Sequence, residues 1–223
     1  MNYDMVKKLI LKDWYLQRLA IALSILGGAL SLAIVARGGQ AAFTLGTILL
    51  VTALVTIGAT LGMNLTVLER KEQTLAFVMS LPVSYREYTA AKLLSVLLIF
   101  LIPWLAYMVG IMVIIDLAPG IHGLVPFVVI MGFEILANTC MIAAAGIISE
   151  SQGWTITILM IGNLVLNGYG YFIAHIPSIG NGMFGPTLHW STTASAILAA
   201  ELAAIALILF GTFYLQSRKK DFL

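Results

Sequence analysis

Residues 69–92 read ERKEQTLAFVMSLPVSYREYTAAK, the one long polar stretch inside an otherwise apolar chain. The stretch holds seven charged side chains, although the whole chain of 223 residues has only 12 Lys and Arg and 10 Asp and Glu. Apolar runs too long for a soluble core flank it on both sides. A chain that concentrates its scarce charges in one internal loop is expected to present that loop to a partner.

The composition is that of a membrane protein. Hydrophobic residues make up 61% of the chain, charged residues 10%, and the mean hydropathy is +1.01. No Lys or Arg occurs between Leu93 and Ser217. Helices satisfy their own backbone hydrogen bonds in lipid, whereas a transmembrane barrel would need an alternation of apolar and polar residues that the sequence lacks. We therefore expect an all-α membrane protein, with a net charge of +2 that gives no reason to expect nucleic acid as a partner.

Because about 20 apolar residues cross the hydrocarbon core of a bilayer, six membrane spans are predicted. They cover approximately 19–36, 41–68, 93–115, 124–148, 154–175 and 194–216. Cytoplasmic loops are enriched in Lys and Arg. Six spans place the N-terminal segment, the 69–92 loop and the C-terminal tail on one side, and these hold every basic residue except Arg37. Both termini and the charged loop are therefore predicted to be cytoplasmic.

Residues 1–18 are predicted to form an interfacial helix before the first span. Val6, Ile10 and Trp14 recur at helical spacing, and aromatic and basic residues suit the headgroup region, although Asp13 interrupts the apolar sector. The alternative is a frayed basic terminus that only sets the topology.

Residues 176–193 form the longest predicted extracytoplasmic segment. Two prolines and three glycines in this stretch predict an irregular or re-entrant segment rather than a simple helix. With neither a repeat nor a soluble domain in the sequence, residues 1–223 are interpreted as one transmembrane domain.

The charged loop has the pattern of two helices separated by a break. Residues 74–81 are apolar at helical spacing, and Pro82 is expected to end that helix. Ser84 and Glu87 then match a capping box, which predicts a new helix running into the third span. A stiff helix-break-helix can transmit force, which a flexible loop cannot.

The segment ERKEQTLAFVMSLPVSYREYTAAKLLS resembles the first cytoplasmic loop of ABC transporter permeases of the type-2 exporter class. In that family an acidic-basic pair after the second span precedes a T-L-x-x-x-x-S-x-P-V-S-x-x-E-Y pattern and a lysine before the third span. The matching residues are Glu69, Arg70, Thr74, Leu75, Ser80, Pro82, Val83, Ser84, Glu87, Tyr88 and Lys92.

The resemblance implies that residues from about 71 to 81 form a coupling helix that docks on a separate ATP-binding subunit. It further implies two copies of that subunit, which bind ATP and Mg²⁺, a second permease, and a prokaryotic cytoplasmic membrane. The residues expected to couple to the ATPase are Glu69, Arg70, Lys71, Thr74, Leu75, Phe77, Val78, Ser80, Pro82, Ser84 and Glu87.

Three other interpretations of the sequence stay open. The loop could merely fix the topology and order the third span, although this leaves the apolar Leu75, Phe77, Val78 and Met79 unexplained. The chain could be an ATP-independent secondary transporter or channel, for which half-to-half symmetry and broken helices are expected. It could also be a membrane anchor that recruits a cytosolic protein through residues 69–92.

The sequence contains none of the catalytic motifs that would make the chain an enzyme. It has no GxxxxGK[ST] phosphate loop, no HExxH pair and no GxSxG nucleophile motif. The three histidines are scattered, and no metal site is predicted. We therefore expect no cofactor in this chain and a supply of energy from the partner.

Three polar residues inside the predicted spans are candidates for a translocation path. Glu134 lies near the middle of the fourth span with Asn138 one turn on, and Glu201 lies in the outer half of the sixth. Ionisable groups at such depth are costly and usually face a bundle interior or a water-filled cavity. The alternative is a structural role, in which each glutamate is protonated and hydrogen-bonded to a neighbouring helix. For Glu134 the partner would be Asn163 or Asn167.

Overall fold

The computed structural model describes residues 3–68, 85–118 and 120–218, and within these ranges it contains helices and no strand. Six helices are long and apolar enough to cross a membrane, which confirms the predicted number of spans. They are α1 Tyr3–Ala36, α2 Gln40–Met63, α3 Tyr85–Leu117, α4 Val125–Ser149, α5 Gln152–Ala174 and α6 Thr192–Ser217. A π-helix, Asn64–Leu68, continues α2, and short helices at His122–Leu124 and Pro177–Gly180 precede α4 and follow α5.

One end of the bundle gathers the start of α1, the π-helix, the start of α3 and the ends of α4 and α6. We call it the loop end, because the chain leaves the bundle there after Leu68 and returns at Tyr85. The contacts that bring these elements together are Asp13–Lys92, Thr66–Gly146 and Gln216–Ile147. The opposite end is called the far end.

The first helix is longer than the sequence predicts, and its position relative to the membrane interface stays a prediction. Residues 3–18 are helical, but they are the first half of α1, one unbroken helix of 34 residues, and no helix end separates an interfacial helix from the first span. The sequence has neither Gly nor Pro before Gly27, so nothing in it ends the helix earlier. Val6, Leu9 and Asp13 are also buried, so this half packs into the bundle.

Helix α4 is the centre of the bundle. Of its most apolar window, 61% is buried, against 17% to 39% in the five other spans. Gly58 and Gly62 of α2 let the two helices approach, because a Cβ on either glycine would lie within 2.6 Å of Thr139 or Ile142 of α4. Small residues one turn apart are a common means of close helix packing in membranes.

Helices α1 and α3 are joined by a buried tyrosine. Tyr107 of α3 is 1% exposed, and its hydroxyl donates to the backbone carbonyl of Ser24. Its ring occupies the space where a Cβ on Gly28 would lie. The two helices therefore meet closely along the apolar half of α1 as well as at the loop end.

Residues 176–193 are irregular, as the sequence predicts. They contain the single helical turn Pro177–Gly180, a series of turns and an extended stretch before α6. The segment is attached at the far end by a hydrogen bond of 3.1 Å from the Gly123 amide to the Gly185 carbonyl. The Ser191 hydroxyl then caps α6 by accepting from the Ala194 amide at 3.1 Å.

Candidate coupling and transport sites

Most of the predicted coupling residues lie outside the described part of the chain. They are Glu69, Arg70, Lys71, Thr74, Leu75, Phe77, Val78, Ser80, Pro82 and Ser84. The helix predicted over residues 74–81, its end at Pro82 and the Ser84 side of the capping box lie outside it as well. The structure describes Glu87 and the two helical elements to which this loop is attached.

The element that receives the loop on its return is a single long helix. Helix α3 runs without interruption from Tyr85 to Leu117, so the predicted continuous helix into the third span is confirmed. Glu87 is 7% exposed, and Tyr88 packs with Val6, Leu9 and Ala91 in a small apolar cluster. The start of α3 is therefore packed against the first turns of α1.

A buried ion pair lies one turn deeper. Lys92 Nζ donates to both carboxylate oxygens of Asp13, each at 3.0 Å, and both residues are 0% exposed. Lys12 Nζ lies 3.6 Å from the same carboxylate but its side chain is 38% exposed. Removing one partner of a buried pair costs about 3–5 kcal/mol, because the other charge stays buried and uncompensated. The pair therefore holds α1 and α3 in one relative position.

The element by which the loop leaves the bundle is also attached to α1. Asn64, the first residue of the π-helix, donates from Nδ2 to Gln17 Oε1 at 3.4 Å. Gln17 lies four residues after Asp13, and both are buried on the same face of α1. Thr66 of the π-helix meets Gly146 of α4 so closely that a Cβ on the glycine would not fit. Short π-helical segments are frequent at functional sites.

Sequence reasoning missed this arrangement. In the sequence, Asp13 only interrupts the apolar stripe of α1, and Lys92 belongs to the loop motif. One signal was available, because a carboxylate within an apolar sector needs a cationic partner. The chain has 12 basic residues, and their order along the sequence does not tell which of them is near.

The carboxylates of the spans lie where α4, α5 and α6 meet. Glu201 is 5% exposed and accepts a hydrogen bond from the Tyr169 hydroxyl of α5 through Oε1, while its Oε2 has no partner in the described part of the chain. Glu134 is half-buried and close enough to interact electrostatically with both residues. Glu134 and Glu201 are each the tenth residue of their helix, so they lie at similar depth.

The alternative partners of Glu134 are engaged elsewhere. Asn167 donates from Nδ2 to the Asn163 carbonyl at 2.8 Å, and neither asparagine bonds Glu134 within the described ranges. Asn138 is 5% exposed, and its Oδ1 lies against Gly162 without a hydrogen-bond partner among the described residues. Among the described residues, Glu201 thus has a hydrogen bond to a neighbouring helix and Glu134 has none.

Replacing Tyr169 by phenylalanine should destabilise the protein. Glu201 would lose its hydrogen-bond donor, and a buried acceptor left unsatisfied costs about 1–3 kcal/mol. Thermal unfolding in mild detergent should show a lower midpoint for Tyr169→Phe. The control is Tyr171→Phe, because Tyr171 is 68% exposed and stacks on His175 through its ring. Equal midpoints for the two variants would contradict the importance of this hydrogen bond.

A cavity of about 740 Å³ lies between α2, α3, α4 and α5, and Phe184 lines it at the far end of the bundle. A second cavity, of about 990 Å³, adjoins it at the far end, and five residues line both: Phe43, Thr47, Ile48, Leu124 and Phe184. The described residues that line the first cavity carry no charge, and its polar side chains are Thr47, Thr52, Thr56, Asn163, Asn167 and Tyr171. Glu134, Asn138 and Glu201 are not among these lining residues.

The comparisons with known proteins agree with the loop motif. The family model described as ABC-2 family transporter protein matches residues 8–220, which is almost the whole chain. Neither the curated proteins nor the solved structures contain a match. The chain therefore belongs to the ABC-2 family of transporter proteins, as the resemblance of the loop indicated. It is a multi-pass membrane protein and a permease subunit of an ABC transporter, which implies an ATP-binding partner.

Proposed function

We propose that the chain is the membrane subunit of an ATP-driven exporter, in which two six-span permeases, identical or related, work with two ATP-binding subunits. The partner binds ATP and Mg²⁺, because this sequence has no phosphate loop. Closure of the ATP-binding subunits moves the coupling helix and rocks the two bundles between inward-open and outward-open states. The observation that carries this proposal is the loop end, where both elements that flank the charged loop are attached to α1, one by a buried ion pair and the other by a part-buried hydrogen bond.

We place the loop end in the cytoplasm of a prokaryotic cell. The basic residues of α1 that precede its apolar half, together with Lys92 and Arg218, lie at this end, and Arg37 lies at the far end. Cytoplasmic ends of membrane helices carry the excess of Lys and Arg. This orientation puts the charged loop where an ATP-binding subunit can reach it and residues 176–193 on the outside.

The lining of the 740 Å³ cavity between α2, α3, α4 and α5 favours an amphipathic or hydrophobic substrate. Its wall is apolar and offers hydroxyl and amide groups but no charge, and the Thr47 hydroxyl has no hydrogen-bond partner within the described ranges. Ligand cavities of this kind bury apolar surface and orient the ligand with a few polar groups. A route past Glu134, Asn138 and Glu201 stays a prediction, since these residues lie in the α4–α5–α6 contact.

Inside-out membrane vesicles test the direction and the substrate class together. The permease and the ATP-binding subunit that copurifies with it are co-expressed, and neutral, cationic and anionic amphipathic fluorescent probes are offered outside the vesicles. We expect ATP-dependent accumulation, strongest for the neutral probe, and none when the phosphate-loop lysine of the partner is replaced. Accumulation without ATP, or ATP-driven loss of preloaded probe, would contradict the exporter.

The substitution Glu134→Gln separates charge from packing at the carboxylate pair. Glutamine keeps the shape and the hydrogen-bonding ability but removes the ionisable group. If Glu134 lines the route, ATP-dependent probe accumulation changes while expression and assembly with the ATPase stay at wild-type levels. Wild-type transport by Glu134→Gln, combined with misfolding of Glu134→Leu, would instead assign Glu134 a packing role.

A further inference from the structure

We propose that Asp13 and Lys92 are positioning residues which make the first half of α1 an element that, together with α3, passes movement of the docked ATP-binding subunit to the membrane-spanning bundle. The proposal rests on the function proposed above, in which this loop docks on an ATP-binding subunit. It assigns α1 a part in energy coupling, in addition to that of the coupling helix which the family resemblance implies.

The two elements that flank the loop, α3 and the π-helix, both contact one face of α1. The residues of that face are Val6, Leu9, Asp13 and Gln17, spaced three or four positions apart and buried together. Val6 and Leu9 pack with Tyr88, Asp13 pairs with Lys92, and Gln17 accepts from Asn64. Because the returning helix α3 and the departing π-helix both contact this face, neither can be displaced without acting on α1.

The continuity of α1 carries such a displacement onward. No helix end separates Asp13 from Ser24 and Gly28, which contact Tyr107 of α3 in the apolar half of the bundle. The distance along the axis from Asp13 to Gly28 is about 22 Å at 1.5 Å per residue. Movement applied at the loop end therefore reaches the interior of the bundle through α1 as well as through α3.

An ion pair suits positioning better than it suits stability. Replacing a buried pair by apolar residues of similar volume is often neutral or stabilising, because the desolvation of two charges offsets their attraction. A pair with two contacts of 3.0 Å nevertheless fixes one lateral position of α1 on α3, whereas an apolar contact tolerates sliding. The arrangement of Asp13 and Lys92 thus points to a requirement for a fixed register.

The test separates register from folding by comparing an apolar pair with a reversed pair. The variants are Asp13→Leu/Lys92→Met and Asp13→Lys/Lys92→Asp, and Lys8→Met, which removes an exposed lysine of the same helix, is the control. All are made with Cys140, the one native cysteine, replaced by alanine and with Thr47→Cys in the cavity. The intact complex is assayed for thermal unfolding, for copurification of the ATP-binding subunit, and for the change in thiol-labelling rate at position 47 when ATP and vanadate are added.

The apolar pair should fold, keep its ATP-binding subunit and lose the nucleotide-dependent change in labelling, while Lys8→Met keeps it. If the apolar pair shows the same nucleotide-dependent change in labelling rate as the wild-type pair, the proposal is overturned. If the apolar pair does not fold, the reversed pair decides. A reversed pair that folds and keeps the nucleotide-dependent change in labelling supports the proposal, and a reversed pair that folds and loses this change contradicts it. Failure of both to fold also contradicts it, because the ion pair then serves the fold. Absence of an ATP-binding subunit from the wild-type complex would instead refute the proposed function.

Discussion

The Leu75→Asp permease is expected to insert into the membrane in normal amounts and to lose its ATP-binding subunit. Leu75 is an apolar residue of the predicted coupling helix. An unpaired carboxylate placed in an apolar docking cleft costs several kcal/mol, and about 4 kcal/mol corresponds to a loss of affinity of about a thousandfold. Affinity purification in mild detergent, with both subunits quantified, measures the effect.

Two further variants make this result specific. Phe77→Asp should lose the partner in the same way, because it places a charge on the same short helix. Leu75→Met keeps the volume and the apolar character, and such exchanges usually cost less than about 1.5 kcal/mol, so it should retain the subunit. Wild-type copurification by both aspartate variants would show that residues 71–81 are not the docking element.

The substitution Gly28→Ala is expected to lower the thermal unfolding midpoint markedly. An added Cβ would coincide with the ring of Tyr107, a buried residue whose hydroxyl bonds α1. The tyrosine would have to move and give up that bond, and overpacking of a tight interface costs about 1–3 kcal/mol, with the lost hydrogen bond in addition. Thermal unfolding of the purified protein in mild detergent measures the change.

The neighbouring glycine supplies the control. A Cβ on Gly27 would meet no atom within 4 Å, so Gly27→Ala should be neutral or slightly stabilising through its better helix propensity. The two variants differ only in which face of α1 carries the methyl group. A similar loss of stability in both would mean that the close contact of α1 with α3 is not as described.

Properties of single segments could be predicted from the sequence. The six spans follow from the length and composition of the apolar runs, and the irregular segment 176–193 follows from its glycines and prolines. The long helix into the third span was predicted from the pattern at Ser84 and Glu87 and is present from Tyr85, whereas the cap itself stays a prediction because Ser84 lies outside the described residues. Each of these depends on residues close together in the chain, where periodicity and turn chemistry act.

Contacts between distant segments could not be predicted in this way. Asp13 and Lys92 are 79 positions apart, and only the packing of α1 on α3 brings them together. The same packing covers one face of residues 3–18 and joins them to the first span in one helix, and the local pattern of these residues does not reveal that cover. The bond between Tyr169 and Glu201 likewise depends on where α5 meets α6.

Site-directed cross-linking in intact membranes tests the central claim most directly. With Cys140 replaced by alanine, Phe77→Cys places one thiol in the predicted coupling helix, and Leu188→Cys places one in the exposed far-end segment. The account predicts that a short thiol-reactive cross-linker joins Phe77→Cys, and not Leu188→Cys, to a nucleotide-binding protein. A cross-link from Leu188→Cys but none from Phe77→Cys, or no nucleotide-binding partner for either, would contradict it.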